Sequence, residues 1–201
     1  MKPKPKFLNL SSPMKRGLFH TFAGLSIPIA ALFLSQMVML ISVGVVTLIF
    51  LLIEVLRLQN PAVNRLFLLI FKAVVREEET SRLTGASYML TASLIAISVF
   101  QTDIAVLALT FLAVGDPLAT IIGKRWGRKR LFGKTLEGDL ACLVSCIAVG
   151  FVFQQVGVDV PWPTILLGAL SATVAQAVSL PINDNLTIPL FSGLIMTVWP
   201  I

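Results

Sequence analysis

The segment VMLISVGVVTLIFLLIEVLR, residues 38–57, carries no charged side chain until Glu54. It is long enough to cross a bilayer, because roughly 20 apolar residues in an α-helix span a hydrocarbon core about 30 Å thick. Hydrophobic residues make up 56% of the 201 positions and charged residues only 13%, whereas about a quarter of an average soluble domain is charged. Since a spanning backbone must satisfy its own hydrogen bonds, the sequence predicts an all-α, polytopic membrane helix bundle.

Apolar segments on both sides of this one bring the predicted number of transmembrane helices to about seven. The predicted spans are 18–36, 38–57, 84–101, 104–123, 136–154, 162–181 and 186–200. Residues 61–75 place Arg65 and Lys72 among apolar residues, which is typical of a helix lying at the membrane interface. We therefore expect a basic N-terminal segment, 1–17, and a single transmembrane helical domain, 18–201, without a separate soluble domain.

The distribution of charge predicts the orientation. All 16 Lys and Arg residues fall on the side of the N-terminus, and the opposite connections carry only Asp103 and Asp159 as charges. Because cytoplasmic loops carry an excess of Lys and Arg, the N-terminus is predicted to be cytoplasmic. Five polar clusters lie at cytoplasmic span ends, at 15–20, 54–57, 76–88, 115–139 and 183–189. This arrangement favours a site at the cytoplasmic membrane face over a conduit across the bilayer, for which polar groups near the midplane are expected.

The most specific cluster is GDPLATIIGKRWGRKRLFGKTLEGD, residues 115–139, interpreted as a cytoplasmic nucleotide-binding loop. Asp116 lies near a span end, where a lone carboxylate needs a cation, and Mg²⁺ is the usual one beside phosphates. Gly123, Gly127 and Gly133 permit the φ > 0 conformations that turn backbone amides toward an anion. A loop that only contacts anionic lipid headgroups would account for the Lys and Arg residues, but not for Asp116, Glu137 and the glycines.

The remaining clusters have structural as well as functional interpretations. Arg16 and His20 share a helix face, either as an interfacial anchor or with His20 as a base. Glu54 and Arg57, three residues apart, form either a structural or a catalytic pair. Glu78 belongs to a run of glutamates that also suits a solvated helix cap. Arg82, Gly85 and Tyr88 recur at three-residue steps on one face. Cys142 and Cys146 are predicted to be buried on one helix face rather than paired in a disulfide.

The segment NDNLTIP, residues 183–189, places Asn183, Asp184 and Asn185 in a short turn between apolar helices. Asn and Asp are common in turns and helix caps, which is the structural interpretation. Their oxygen atoms are also suitable ligands for a divalent cation. Together with Asp116, Asp184 and Asn185 are therefore candidate metal ligands.

Taken together, the clusters resemble the family of CTP-dependent lipid kinases that includes dolichol kinase, phytol kinase and CTP-dependent diacylglycerol kinase. The matching segments, in the family's order, are KRGLFHTFAG (15–24), RLTGASY (82–88), GDPLATIIGKRWG (115–127) with GKTLEGDLA (133–141), and NDNLTIP (183–189). The resemblance implies transfer of the γ-phosphate of CTP, with a divalent metal, to the hydroxyl of a membrane lipid alcohol. The implied partners are thus CTP and the lipid, and not a nucleic acid.

Roles for individual residues follow from this resemblance. The implied catalytic or metal-binding residues are Asp116 and Asp184 with Glu137, which would fix either the nucleotide cradle or the metal. His20 or Asp116 would accept the hydroxyl proton. The implied nucleotide-binding residues are Gly115, Gly123, Lys124, Gly127, Arg128, Lys134, Thr135 and Gly138. The implied lipid-site residues are Arg16, Glu54, Arg57, Glu78, Arg82, Gly85 and Tyr88.

Two other functions remain open from the sequence. Phosphatidate cytidylyltransferases share a Gly-Asp element and a Lys-Thr-x-Glu-Gly element, but they add a downstream His-Gly-Gly element. This chain has no histidine after His20, and NDNLTIP occupies that place. A non-enzymatic carrier is the third interpretation, although no internal repeat of the kind found in many transporters is recognisable.

Overall fold

The computed structural model describes residues 13–131, 133–178 and 182–199. Within these ranges the chain is almost entirely helical, as predicted. The helices are α1 (Pro13–Ala31), α2 (Gln36–Gln59), α3 (Pro61–Phe71), α4 (Gly85–Val99), α5 (Thr102–Trp126), α6 (Leu136–Gln155), α7 (Trp162–Ala177) and α8 (Asp184–Val198). A short 3₁₀ helix, Glu77–Thr80, lies between α3 and α4. Residues 1–12 of the predicted N-terminal segment lie outside the described ranges. The same is true of residues 179–181 in the predicted span 162–181 and of residue 200 in the predicted span 186–200.

Polar side chains define where three of the helices begin. The side chain of Asn60 accepts a hydrogen bond from the Ala62 amide at the start of α3, which also has Pro61 in its first turn. Thr135 caps α6 by accepting from the Gly138 amide, and Asn183 caps α8 by accepting from the Asn185 amide. Such caps satisfy amides that have no partner within the helix.

Helix α5 forms the centre of the bundle. It packs against α1, α6 and α8, and also contacts α4 and α7. Its residues from Ile104 to Ala113 are all buried. Close approach depends on small side chains, since a Cβ added at Gly24 of α1 would lie 2.8 Å from the Cβ of Ala113. Small residues at helix contacts allow this kind of packing in membrane proteins.

The lengths of the helices only partly test the predicted spans. Among the described residues, α2, α5 and α6 are long and apolar enough to cross a membrane, whereas α3, α4 and α8 are apolar but shorter. Of the 18-residue apolar stretch that would cross the membrane, 78% is buried inside the protein in α5 and only 22% in α2. Helix α2 therefore presents most of its apolar surface outward, as expected for a helix at the lipid-facing edge of a bundle.

The connection between α5 and α6 is shorter than the predicted loop 115–139. Helix α5 continues through Trp126 and α6 begins at Leu136. Between them, β1 (Arg130–Leu131) and β2 (Lys134–Thr135) form a minimal antiparallel hairpin that the sequence did not predict. Its turn contains Gly133 with φ of 90°, a conformation that glycine adopts without steric cost. The start of α6 is thereby held beside the end of α5.

Candidate active site

Two cavities lie at the same end of the helix bundle. The polar cavity, about 640 Å³, is enclosed by the start of α1, the connection between α3 and α4, the C-terminal part of α5, the β-hairpin, the start of α6, the end of α7 and the start of α8. The apolar cavity, about 140 Å³, lies beside it and is lined mainly by α1, α3, α4 and the α3–α4 connection. Its aromatic wall consists of Phe19, Phe50, Phe67 and Phe71.

Four residues form a wall that is common to both cavities. This shared wall consists of Arg16, Arg76, Asp116 and Thr120. Asp116 and Thr120 are one helical turn apart on α5 and therefore share a face. Asp116 is only 7% exposed, and in the described part of the chain its carboxylate forms no ion pair. Because a buried charge is costly unless compensated, this carboxylate is suited to a bound cation or substrate.

The other charged residues of the shared wall, Arg16 and Arg76, are positive. Arg16 lies within electrostatic range of both Asp116 and Arg76. Lys124, Arg130 and Lys134 add further positive charge to the polar cavity, whereas Glu77, Glu78 and Asp184 add negative charge. Guanidinium groups recognise phosphate oxygens well because their donors form a planar fork. The basic side chains of the polar cavity are therefore suited to a phosphate-bearing ligand, and its acidic side chains to a cation that accompanies such a ligand.

His20 lies in the apolar cavity rather than the polar one. Its Nε2 atom is buried and, among the described residues, has no hydrogen-bond partner. Asp116 lines the same cavity. The structure thus brings together the two residues that the sequence offered as alternative proton acceptors.

An ion pair fixes the far side of the polar cavity. The ammonium of Lys134 donates to Asp184 Oδ2 at 2.8 Å and also to the backbone carbonyl of Gln176. Burial raises the pKa of the Asp184 carboxyl above its ordinary value, and the positive charge of Lys134 opposes that shift. The three residues come from β2, α7 and α8. Lys134 therefore links the hairpin to two helix ends as well as lining the cavity.

The predicted role of the glycines is wrong for two of them. Gly123 lies within α5 and Gly127 has φ of −62°, so only Gly133 of the three has positive φ. Instead, an added Cβ would lie 2.5 Å from Thr135 Oγ1 at Gly123 and 2.7 Å from the Ala119 carbonyl oxygen at Gly138. Both glycines line the polar cavity. Because they have no side chain, the end of α5 can lie against the start of α6.

The Oε2 atom of Glu137 is buried and, among the described residues, has no hydrogen-bond partner. The two roles considered for Glu137, fixing the cradle and fixing the metal, both stay predictions. The side chains of Glu137 and Arg128 do not line the polar cavity, whereas Thr135, Lys124 and Lys134 do.

Glu54 and Arg57 line neither cavity but form a buried network behind the wall of the apolar cavity, where they contact Thr84 and Phe67. Arg57 donates to Glu54 Oε2 through Nε at 2.9 Å and Nη2 at 2.6 Å, and both side chains are fully enclosed. Arg57 also donates to the backbone carbonyl of Arg82, while Thr84 Oγ1 donates to Glu54 Oε1, each at 2.6 Å. The pair therefore organises the connection between α3 and α4, which corresponds to the structural interpretation.

Of the other predicted lipid-site residues, Gly85 and Glu78 each line one cavity, whereas Arg82 and Tyr88 do not. Gly85 lines the apolar cavity, where its amide donates to Glu79 and its carbonyl accepts from Asn185 Nδ2 at 2.7 Å. Glu78 lines the polar cavity. Arg82 and Tyr88 line neither cavity. The expected common face is wrong for Arg82, because α4 begins only at Gly85 and Thr84 before it is extended. Gly85 and Tyr88 are both in α4, three residues apart.

Gly115, another predicted nucleotide-binding residue, does not line the polar cavity. A Cβ there would lie 2.8 Å from Cys146 Sγ and 2.9 Å from Cys142 Sγ. Both cysteines are buried and unbridged, with their sulfur atoms 4.0 Å apart, as predicted for one helix face. Gly115 therefore serves the packing of α5 against α6.

Asp116 and Asp184 are suited to bind Mg²⁺ only together with the phosphates of a bound substrate. Among the residues that the structure describes, no group of three His, Cys, Asp or Glu side chains is arranged to hold a metal. Mg²⁺ is commonly bound by one or two carboxylates plus substrate phosphates, so a complete protein cage is not required. Asp116 and Asp184 both line the polar cavity. Asn185, the third candidate, lines the apolar cavity with Asp116 instead.

Sequence reasoning missed Arg76, Glu79, Thr120 and Gln176. Thr120 was detectable, because it follows Asp116 by one helical turn. Arg76 and Glu79 stand in the acidic run REEET, whose charges are equally typical of a solvated cap. Gln176 reaches the polar cavity from α7 through tertiary packing, for which the sequence offers no local signal.

Comparisons with known proteins add an independent line of support. The chain is 27% identical to an uncharacterized protein of Rickettsia prowazekii over 92% of this chain and 94% of that protein. It is 27% identical to the CTP-dependent diacylglycerol kinase 1 of Schizosaccharomyces pombe, over 71% of this chain and 72% of that protein. It is 33% identical to the dolichol kinase of Saccharomyces cerevisiae, over 71% of this chain but 29% of that protein.

Plant proteins named as probable phytol kinases are similar as well, with matches over 43% to 52% of their own length. No family model matches the chain. No solved structure matches it either. The named homologues support the resemblance inferred from the motifs, which is to lipid kinases.

Proposed function

We propose that the protein is an integral membrane, CTP-dependent lipid kinase that transfers the γ-phosphate of CTP to the hydroxyl of a membrane lipid alcohol. The observation that carries the proposal is the shared wall, where Asp116 borders both a charged cavity and an apolar one. A phosphoryl donor in the first and a lipid alcohol in the second would meet at that wall. CTP is the proposed donor because a relative is named for its dependence on CTP.

The reaction requires little covalent participation by the protein. The hydroxyl oxygen of the lipid attacks the γ-phosphorus, the bond to the β–γ bridging oxygen breaks, and CDP leaves with that oxygen. The hydroxyl proton passes to His20 Nε2 or to the Asp116 carboxylate, which both line the apolar cavity. Positioning and charge neutralisation provide most of the catalysis in such transfers. Arg16, Lys124 and Lys134 would neutralise the phosphates of the donor.

Mg²⁺ would be held by Asp116 and the donor phosphates, with Asp184 as a further carboxylate on the same cavity. Its contribution, when bound, would be to neutralise the charge on the phosphate oxygens. Diacylglycerol, phytol, dolichol and shorter polyprenols are the proposed acceptors.

The decisive assay follows the label of the nucleotide. The purified protein is incubated with Mg²⁺, a panel of these alcohols, and CTP or ATP labelled in the γ-phosphate. Label on an extractable lipid from CTP supports the proposal. In a parallel incubation with CTP labelled in the α-phosphate and phosphatidate as the acceptor, transfer of the label to lipid with release of pyrophosphate would instead identify a cytidylyltransferase. No transfer from either position would contradict both enzymes and favour a carrier.

Asp116→Asn tests the site itself. Loss of the carboxylate is expected to lower kcat by about 100-fold or more, the range seen when a catalytic proton acceptor or charge is removed. Asp103→Asn is the matched control, because Asp103 lies at the opposite end of α5, where its carboxylate accepts a hydrogen bond from the Asp159 amide. Full activity of Asp116→Asn would remove Asp116 from the mechanism.

The proposed topology has seven spans, with the N-terminus and the active face in the cytoplasm. It is supported by the position of all 16 Lys and Arg residues on one side. Single cysteines introduced at Gln101 and Arg128, before and after α5, test it in intact cells. A membrane-impermeant thiol reagent should label the first directly and the second only after permeabilisation. The reverse pattern would invert the orientation.

A further inference from the structure

Arg76 occupies a position that the sequence did not single out. It belongs to neither of the flanking helices, α3 and α4, but to the connection between them, just before the 3₁₀ helix. Its side chain is 39% exposed and lines both the polar and the apolar cavity. Among the described residues, Arg16 is the only other basic residue that the two cavities have in common. Arg76 thus stands where a transferred group would pass from one cavity to the other.

The backbone at Arg76 is held from one side by Glu79. The Arg76 amide donates to Glu79 Oε2 at 2.7 Å, and the Gly85 amide donates to Glu79 Oε1 at 2.8 Å. One carboxylate therefore joins the start of the connection to the first turn of α4. The Arg76 Nε atom lies 4.0 Å from Glu79 Oε1. At this distance the guanidinium gains orientation but no short hydrogen bond to the carboxylate.

The same connection is held from beneath by the Glu54–Arg57 pair. Arg57 Nη2 donates to the backbone carbonyl of Glu79 at 3.2 Å, and Nη1 donates to Asn64 Oδ1 at 3.1 Å. Asn64 Nδ2 in turn donates to the carbonyl of Thr80 at 3.0 Å. Burying an ion pair has a desolvation cost that its attraction often only balances. The Glu54–Arg57 pair therefore contributes more to holding residues 76–84 in this geometry than to the stability of the fold.

We propose that Arg76 is a catalytic residue that contacts the transferred phosphoryl group, and that Glu54, Arg57 and Asn64 are positioning residues for it. This inference rests on the proposed phosphoryl transfer. During transfer, negative charge is distributed over the equatorial oxygens of the phosphoryl group. A guanidinium at the shared wall, with its planar set of donors, stabilises that charge when the group is between donor and acceptor.

The first test compares Arg76→Ala and Arg76→Lys with wild type in γ-phosphate transfer from CTP. Both are expected to lower kcat, Arg76→Ala by about 100-fold or more, with smaller changes in the KM of either substrate. Arg76→Lys should recover only part of the rate, because an ammonium lacks the bidentate geometry. Arg65→Ala is the matched control, since Arg65 is an exposed cation on α3 that lines neither cavity.

Different results separate the two proposals. If wild type transfers no phosphate, the proposed function fails and the role of Arg76 fails with it. If wild type is active and Arg76→Ala keeps a kcat within about threefold, the function stands and the inference is overturned. A rise in KM for CTP with unchanged kcat would likewise overturn it, because that pattern indicates ordinary binding of the ground state.

The positioning role is tested with Asn64→Ala, which removes the hydrogen bonds to Arg57 and to the Thr80 carbonyl but leaves the ion pair between Glu54 and Arg57 in place. Its kcat is expected to fall several-fold in the wild-type background and to change little in the Arg76→Ala background. Such non-additivity indicates that the two residues act through one another. Equal losses in both backgrounds, accompanied by a lower melting temperature, would show that Asn64 supports the fold and not Arg76.

Discussion

Gly138→Ala tests whether the candidate nucleotide cavity depends on close packing of α5 against α6. The new Cβ would lie 2.7 Å from the carbonyl oxygen of Ala119 and 3.0 Å from Thr135 Oγ1. The first distance is to backbone atoms, which cannot move aside as a flexible side chain can. The two elements must therefore separate, and the polar cavity that they enclose must change shape.

The expected destabilisation follows from two opposing effects. Overpacking a close contact typically costs about 1–3 kcal/mol, and the contact with backbone places this variant in the upper part of that range. Alanine gains up to about 1 kcal/mol over glycine in a helix interior, although Gly138 is in the first turn of α6, where the gain is smaller. We expect a net loss of about 1–2 kcal/mol and a higher KM for CTP.

Gly44→Ala provides the control for helix propensity. Gly44 lies in α2, and a Cβ there would have its nearest neighbour, Leu94 Cδ1, at 3.7 Å, which is ordinary contact. This variant should be as stable as wild type or slightly more stable. Thermal unfolding in one detergent and initial rates against CTP concentration measure both properties. If Gly138→Ala matched Gly44→Ala in stability and KM, the close packing would not shape the cavity.

Two further variants test other parts of the site. Lys134→Met removes the hydrogen bonds to Asp184 and to the Gln176 carbonyl. Because hydrogen bonds of charged groups contribute about 1.5–3 kcal/mol, we expect a lower melting temperature and a higher KM for CTP. Unchanged values would contradict the role of Lys134 in joining the hairpin to α7 and α8. His20→Asn should lower kcat by about 100-fold if the ring accepts the hydroxyl proton. A kcat within threefold of wild type would leave Asp116 as the acceptor.

The sequence predicted the helical class and much of the polar cavity, because both depend on local patterns. Long apolar segments identify helices irrespective of their neighbours. Asp116, Lys124, Lys134 and Thr135 lie close together along the chain, on α5 and on the hairpin that directly follows it, so their convergence needs only a short reversal of the chain. That all four line one cavity confirms their spatial grouping. Their roles in catalysis and nucleotide binding stay predictions.

The predictions that were wrong or missing concern residues whose role depends on tertiary packing. Gly123 and Gly127 were interpreted through their backbone freedom, yet α5 continues past the first, and both face the side chain of Thr135. Arg82 was placed on a helix that begins three residues later. Arg76 was overlooked because its importance depends on contacts with distant helices. Spacing along the sequence contains no information about any of these three-dimensional relations.

The shared wall also has a kinetic consequence. Because the donor and the acceptor would occupy separate cavities with Asp116 between them, neither needs to leave before the other binds. The proposed kinase would then work through a ternary complex, and initial-rate lines at different lipid concentrations would intersect. A phosphorylated form of the enzyme would have no place in the cycle. In the absence of lipid, CDP and CTP would exchange no phosphate.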